Sequence, residues 1–188
     1  MTIEQRGYTA ALDEAAVRAF TTDFRGAVIR PGDAKYETAR QVFNAMIDRY
    51  PSLIVRCLSA SDVSRAVAFA REQGLTVSVR GGGHGVAGFA VNDGGLVIDL
   101  SPLKGIQVDP VWRTATAQPG LTLGELDHAT QMHGLAVPLG IVSLTGIAGL
   151  TLGGGIGWLN GKHGLACDNL LAAEVVTADG RLLTASPT

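Results

Sequence analysis

Cysteine, charge and aromatic side chains are scarce in this chain, and each shortage removes a class of protein. Two of its 188 residues are cysteine, 17% are charged and 5% are aromatic. Cys57 and Cys167 cannot make a disulfide framework. A bridge between them is not expected either. The segment from Met1 to Phe20 carries Glu4, Arg6, Asp13, Glu14 and Arg18 and holds no apolar secretory leader. The expected compartment is therefore the cytosol, where thiols stay reduced. Lys plus Arg is 15 and Asp plus Glu is 17, a net charge of −2. That balance excludes a broadly basic nucleic-acid binder and an acidic tail. No His, Cys, Asp or Glu cluster has metal-ligand spacing, so no metal is expected. At 46% apolar the chain is too hydrophobic for disorder. Its length suits one domain, or two small lobes sharing a core, burying about 70% of the unfolded surface.

Glycine is in excess. There are 25, nearly twice the usual share of about 7%, and 20 of them lie between Gly81 and Gly164. There is no Gly-x-y period. The 28 residues from Gly134 to Gly161 contain no Asp, Glu, Lys or Arg, a run long enough to cross a bilayer. Yet they include nine glycines, three of them consecutive at Gly153, Gly154 and Gly155, together with Pro138. An interior glycine costs a helix about 1 kcal/mol relative to alanine, and proline about 3. The run reads as loop and turn backbone that approaches something closely.

Along the chain, Leu12, Ala16, Phe20 and Phe24 predict a helix over Asp13 to Phe24. Ala39 to Asp48 predicts a second, stopped by Pro51. Leu53 to Leu58 reads as a strand. Ser59 and Asp62 form an acidic capping box that opens a helix ending at Gly74, and Thr76 to Arg80 reads as a strand. Short strands are then predicted over Leu96 to Leu100, Gly105 to Val108 and Thr114 to Gln118. Thr122 and Glu125 form a capping box for a helix that Gly134 closes. Leu171 to Thr177, the turn Ala178-Asp179-Gly180-Arg181 and Leu182 to Thr184 predict a hairpin.

Consecutive glycines after a strand can turn successive N–H groups toward one point, a nest that binds anions such as phosphate. Two such loops, Gly81–Gly85 and Gly146–Gly157, suit an extended diphosphate ligand; tight turns without a ligand are the alternative. Gly83-His84-Gly85-Val86-Ala87-Gly88 formally matches G-x-G-x-x-G. A nicotinamide-binding crossover helix cannot fit between Gly88 and the Gly94-Gly95 turn, so that reading is rejected. Gly161-Lys162 fails as a Walker loop, with Ile156 in the place of the first glycine and His163 in the place of Ser or Thr. From the residues alone, His84 is a turn histidine as readily as a functional one. His128 and His133 belong to a helix, Trp112 and Trp158 read as packing residues, and Glu125 reads as a cap.

Three runs resemble a known family. Val79-Arg80-Gly81-Gly82-Gly83-His84-Gly85, the segment Gly140 to Trp158 (GIVSLTGIAGLTLGGGIGW) and the segment Lys162 to Leu170 (KHGLACDNL) are similar to the FAD domain of the berberine bridge enzyme-like oxidoreductases. These belong to the vanillyl-alcohol oxidase/p-cresol methylhydroxylase superfamily. The resemblance runs from about Tyr36 to the C-terminus. It implies an α+β fold: the two-subdomain FAD-binding domain of the p-cresol methylhydroxylase type, C-terminally incomplete. Residues 1–35 would be a helical extension, 36–80 a strand–helix–strand subdomain, and 81–188 a mixed-sheet subdomain carrying the glycine loops. The resemblance places FAD against Gly81, Gly82, Gly83, His84 and Gly85, with this loop on the pyrophosphate. It adds Gly140, Val142, Ser143, Thr145, Gly146, Gly149, Gly155, Gly157 and Val176. It further implies a bond from His84 to the flavin 8α carbon. Many members attach a cysteine to flavin C6 as well, but Val142 stands at that place here. Cys167 lies 25 residues further on and reads as a small buried residue. One covalent link, through His84, is expected.

Relatives of this kind are more than twice as long and carry a substrate domain that this chain is expected to lack, so no catalytic residue is assigned. The expectation is the FAD-binding part of an oxidoreductase that oxidises an alcohol, a sugar or a natural product by hydride transfer to His-linked FAD. The alternative is a flavin-binding module, alone or with a partner chain. The isolated chain is expected to turn over no substrate. Its expected partners are a small-molecule substrate and the missing domain or a partner chain, with no nucleic acid and no membrane.

Overall fold

The computed structural model describes residues 12–187. Its first half is built on a four-stranded sheet in the order β1-β2-β4-β3: β1 Ala27–Ile29, β2 Leu53–Arg56, β3 Val77–Arg80 and β4 Leu96–Asp99. β1 is antiparallel to β2, while β2, β4 and β3 run parallel. Every residue of β4 is buried, as a strand covered on both faces should be. Period-2 alternation splits its apolar side chains, and those of β2, between two layers. Leu53, Val55, Leu96 and Ile98 meet Val17, Phe20 and Phe24 of α1 (Glu14–Asp23) and Ala66, Phe69 and Ala70 of α3 (Ala60–Glu72). Phe20 stacks on Phe69 with centroids 4.5 Å apart. Ile54 and Val97 face the other way, onto Ile29, Tyr36 and Val91.

The caps read from the sequence form. The Ser59 side chain accepts from Asp62 N–H at 3.2 Å and opens α3. Asp62 in turn accepts from Leu58 N–H at 3.0 Å, one residue before the donor that a capping box uses. Beyond the sheet, β5 (Ile106–Asp109) and β6 (Thr114–Ala117) make a hairpin. The full Thr122/Glu125 capping box then starts α4 (Leu123–Gln131). α5 (Ile147–Leu152), α6 (Asn160–His163) and a 3-10 turn at Cys167–Asn169 follow. The hairpin of β7 (Ala173–Val176) and β8 (Leu182–Ala185) ends the described residues, its turn carried by Gly180 at φ 86.

Four expectations meet a different structure. The helix expected over Ala39 to Asp48 is the short α2, Tyr36–Arg40. Past it, backbone donors find partners outside a helix: Phe43 N–H donates to Gly83 O at 3.1 Å, and Met46 N–H to the Asn44 side chain at 3.1 Å. The sheet reaches past both ends of the 36–80 segment. β1 lies in the stretch expected to be a helical extension, and β4 sits between β2 and β3, which otherwise would have no common neighbour. Cys167 is exposed, not buried; the 3-10 turn that carries it buries none of its side chains. Trp112 and Trp158 are 79% and 86% exposed rather than packed. The uncharged run 134–161 folds into α5, α6 and turns, and among the described residues no helix is long and apolar enough to cross a membrane.

Candidate functional site

Strand register brings three charged residues to one rung. Arg56, Arg80 and Asp99 end β2, β3 and β4, and Asp99 pairs in register with both arginines. Such partners share a sheet face on strands about 4.8 Å apart. Asp99 accepts from Arg80 Nη2 at 2.9 Å and from Ser101 N–H at 3.0 Å, and Arg56 Nε lies 3.2 Å from the same carboxylate. Burial alone would raise the Asp99 carboxyl. The hydrogen bond and charge of Arg80, with Ser101, outweigh it and hold Asp99 below the usual carboxylate range. Arg80 Nη1 also donates to Ala39 O and Gln41 O, tying the segment after α2 to the strand end.

Directly after Arg80 the chain enters Gly81-Gly82-Gly83-His84-Gly85. Gly83 has φ +68, a region that side-chain-bearing residues rarely adopt. This loop meets the second one backbone to backbone. A Cβ on Gly82 would overlap Gly146, and a Cβ on Gly146 would overlap Gly82. Gly146 is itself held in place: Leu123 N–H donates to Thr145 O at 2.8 Å, Gly124 N–H to Ser143 O at 2.9 Å and Ile147 N–H to Leu121 O at 2.9 Å.

A cavity of about 600 Å³ opens here, at the carboxyl ends of the parallel strands. Ligands of open α/β sheets bind at such ends. Gly81, Gly82, Gly83, His84 and Leu144 line it beside Lys35, Arg56, Arg80 and Asp99, so three cations face one carboxylate. Gly85 and Gly149 have a different character. A Cβ on either would meet nothing within 4 Å, so no protein atom of the described residues requires glycine there. A cavity with cationic excess, two interlocked glycine loops and open space beyond Gly85 and Gly149 fit a dinucleotide laid close to the main chain.

The remaining residues read from the sequence lie around this junction in different ways. Thr145 and Gly146 sit at the contact itself, and Val142 and Ser143 precede it on exposed backbone. Gly140, Gly155 and Gly157 pack on the protein: a Cβ on Gly140 would strike Leu150, on Gly155 Ala166 and Leu150, and on Gly157 the Leu139 carbonyl. Val176 is half-buried on β7 and does not line the cavity. Among the described residues no group of three His, Cys, Asp or Glu side chains could hold a metal ion. Two features of the site lie outside the sequence expectations, the Arg80–Asp99 pair and Phe43. The pair had a signal: a charged residue closes each of two otherwise apolar or small strands. Phe43, whose ring stacks on His84 with centroids 4.0 Å apart, had none, because a turn brings it there.

Known proteins match this arrangement. The family described as FAD binding domain matches residues 51–186. The (R)-6-hydroxynicotine oxidase of Paenarthrobacter nicotinovorans is 41% identical over 162 residues, covering 86% of this chain and 35% of that protein. The structure of a Physcomitrella patens BBE-like protein superposes with a TM-score of 0.87 at 32% identity, over 91% of this chain and 37% of that one. Glucooligosaccharide oxidase from Acremonium strictum, described with a 6-S-cysteinyl, 8α-N1-histidyl FAD, gives a TM-score of 0.83 at 30% identity, over 91% and 36%. The chain thus spans about a third of the length of the relatives it matches. Fold, glycine loops and relatives agree: this chain belongs to the FAD-binding domain family of the berberine bridge enzyme-like FAD-linked oxidoreductases, within the p-cresol methylhydroxylase superfamily.

Proposed function

We propose that this chain is the FAD-binding part of an oxidoreductase that oxidises a small organic substrate, an alcohol, a sugar or a natural product. The observation that carries the reading is the backbone contact of Gly82 with Gly146 beside His84, at the mouth of a cavity with cationic excess. Bound FAD supplies a hydride acceptor. The protein's part is to bind and orient it. N–H groups of Gly81–Gly85 face the pyrophosphate, helped by Lys35, since Arg80 and Arg56 both pair with Asp99. Thr145, Gly146 and Gly149 give the ring close access to the second loop, and Gly140, Gly155 and Gly157 keep that loop compact. Val142, Ser143 and Val176 lie outside that cavity and are assigned to the FAD on the family resemblance alone.

His84 forms the single covalent link. Neither of its ring nitrogens has a hydrogen-bond partner among the described residues, so a nitrogen is free to bond. Val142 offers no sulfur for a second link of the kind described for glucooligosaccharide oxidase. The substrate wall and the catalytic base belong to a further domain or a partner chain, and the compartment is the cytosol, in keeping with two free cysteines.

The test is a mass spectrum of tryptic peptides from the natural, full-length protein. An FAD adduct on the His84 peptide is expected. His84→Ala should remove the covalent flavin and weaken FAD retention. Free FAD released from the acid-denatured wild-type protein would defeat the assignment.

A further inference from the structure

The His84 loop is held by one short stretch of chain. Phe43 N–H donates to Gly83 O at 3.1 Å, and Asn44 Nδ2 donates to Val86 O at 3.0 Å. A Cβ on Gly88 would strike Ile47. These ties fall on both sides of His84. Between them the Phe43 ring lies against the imidazole, with centroids 4.0 Å apart and planes 15° from parallel. Burial does not explain this placement. Phe43 is 66% exposed, whereas its neighbours Val42 and Ile47 pack on the core.

A stacked pair is cohesive beyond the area it covers. It uses the face of the imidazole and leaves uncovered the edge that carries both nitrogens. A ring held this way has given up rotamer freedom before the ligand arrives, and such orientation is what accelerates bond formation between bound groups. We infer that Phe43 is a positioning residue that presets His84 for its bond to the flavin. This rests on the reading of His84 given above.

In the linking step a His84 nitrogen forms a bond to the 8α carbon. One C–H bond of that methyl group breaks, and the imidazole gives up its N–H proton. The two electrons and two protons released reduce dioxygen to hydrogen peroxide. Phe43 takes no part in that balance; it sets how often the nitrogen is aimed.

The experiment uses full-length natural apoprotein supplied with FAD in air. Flavin that survives acid denaturation is followed over time by intact mass. Phe43→Ala and Phe43→Leu should link roughly five- to tenfold more slowly than wild type, the scale of a lost aromatic stack. Phe43→Trp should link at close to the wild-type rate. In a His84→Ala background, Phe43→Leu should leave the melting temperature unchanged, which a merely structural role would not. Unchanged linking in Phe43→Ala, or rescue by Leu equal to rescue by Trp, overturns the role of Phe43 while leaving His84 as the attachment site. A wild-type protein that links no flavin at all overturns the reading of His84, and this inference with it.

Discussion

Between Val17 and Asp99 one sheet encloses large apolar side chains on both faces, and Leu53, Ile54, Leu96 and Ile98 have essentially no exposure, while Phe43, Met46, Val86 and Phe89 stand exposed in its loops. From Leu100 onward the enclosed cluster is smaller, centred on Leu121, Leu123, Leu126, Leu139 and Ile147. There Ile141, Leu152, Ile156, Trp158 and Leu171 stand exposed. The first region is stabilised by buried apolar area, at about 25 cal/mol per Å². The second is arranged by close backbone approach, which shapes a binding surface more than it fills a core. The two regions meet where Gly82 touches Gly146, so the site takes rigidity from one side and intimate contact from the other.

Breaking the rigid side should have the largest effect. Asp99→Ala leaves Arg80 buried without its carboxylate, and a loss of about 3–5 kcal/mol is expected in denaturant unfolding. Asp99 also sets a pH dependence. Its folded-state pKa lies below the unfolded value of about 3.9, so its contribution is fully present above that value. It is lost as the pH falls through the lower folded value. Asp99→Asn should flatten the stability curve in that acidic window, read as melting temperature against pH.

Next in size is the junction. Gly146→Val forces a side chain into the Gly82 backbone and should cost about 1–3 kcal/mol of stability together with most FAD retention, measured by melting and by flavin absorbance. The smallest effect separates the two regions most sharply. Gly149→Ala enters open space on a helix, so the apoprotein should gain about 1 kcal/mol while FAD retention falls. If FAD retention also rose, the space beyond Gly149 would not belong to the cofactor.

Much of this was legible in the chain. Ser59 and Thr122 announced the two capped helices because a cap is a local event, settled by a side chain and a donor three residues on. Gly180 marked the β7–β8 turn for the same reason. The order of the strands was not legible. Nothing local in Leu96–Asp99 says that it inserts between β2 and β3, since parallel partners are chosen by long-range burial. Nor could spacing show Phe43 over His84, because the stack depends on a turn whose hydrogen bonds are made with another loop. Residue type alone suggests a packed Cys167 and Trp158, an average that a region with so few enclosed side chains does not follow.

By itself the sequence determined where backbone can come close: glycines such as Gly140, Gly146, Gly155 and Gly157 in the uncharged 134–161 run leave room that a Cβ would fill. Only the tertiary structure decided what that backbone meets. It put Arg56, Arg80 and Asp99 on one rung and set Gly82 against Gly146, and both follow from strand register and sheet order, which join residues that are distant along the chain.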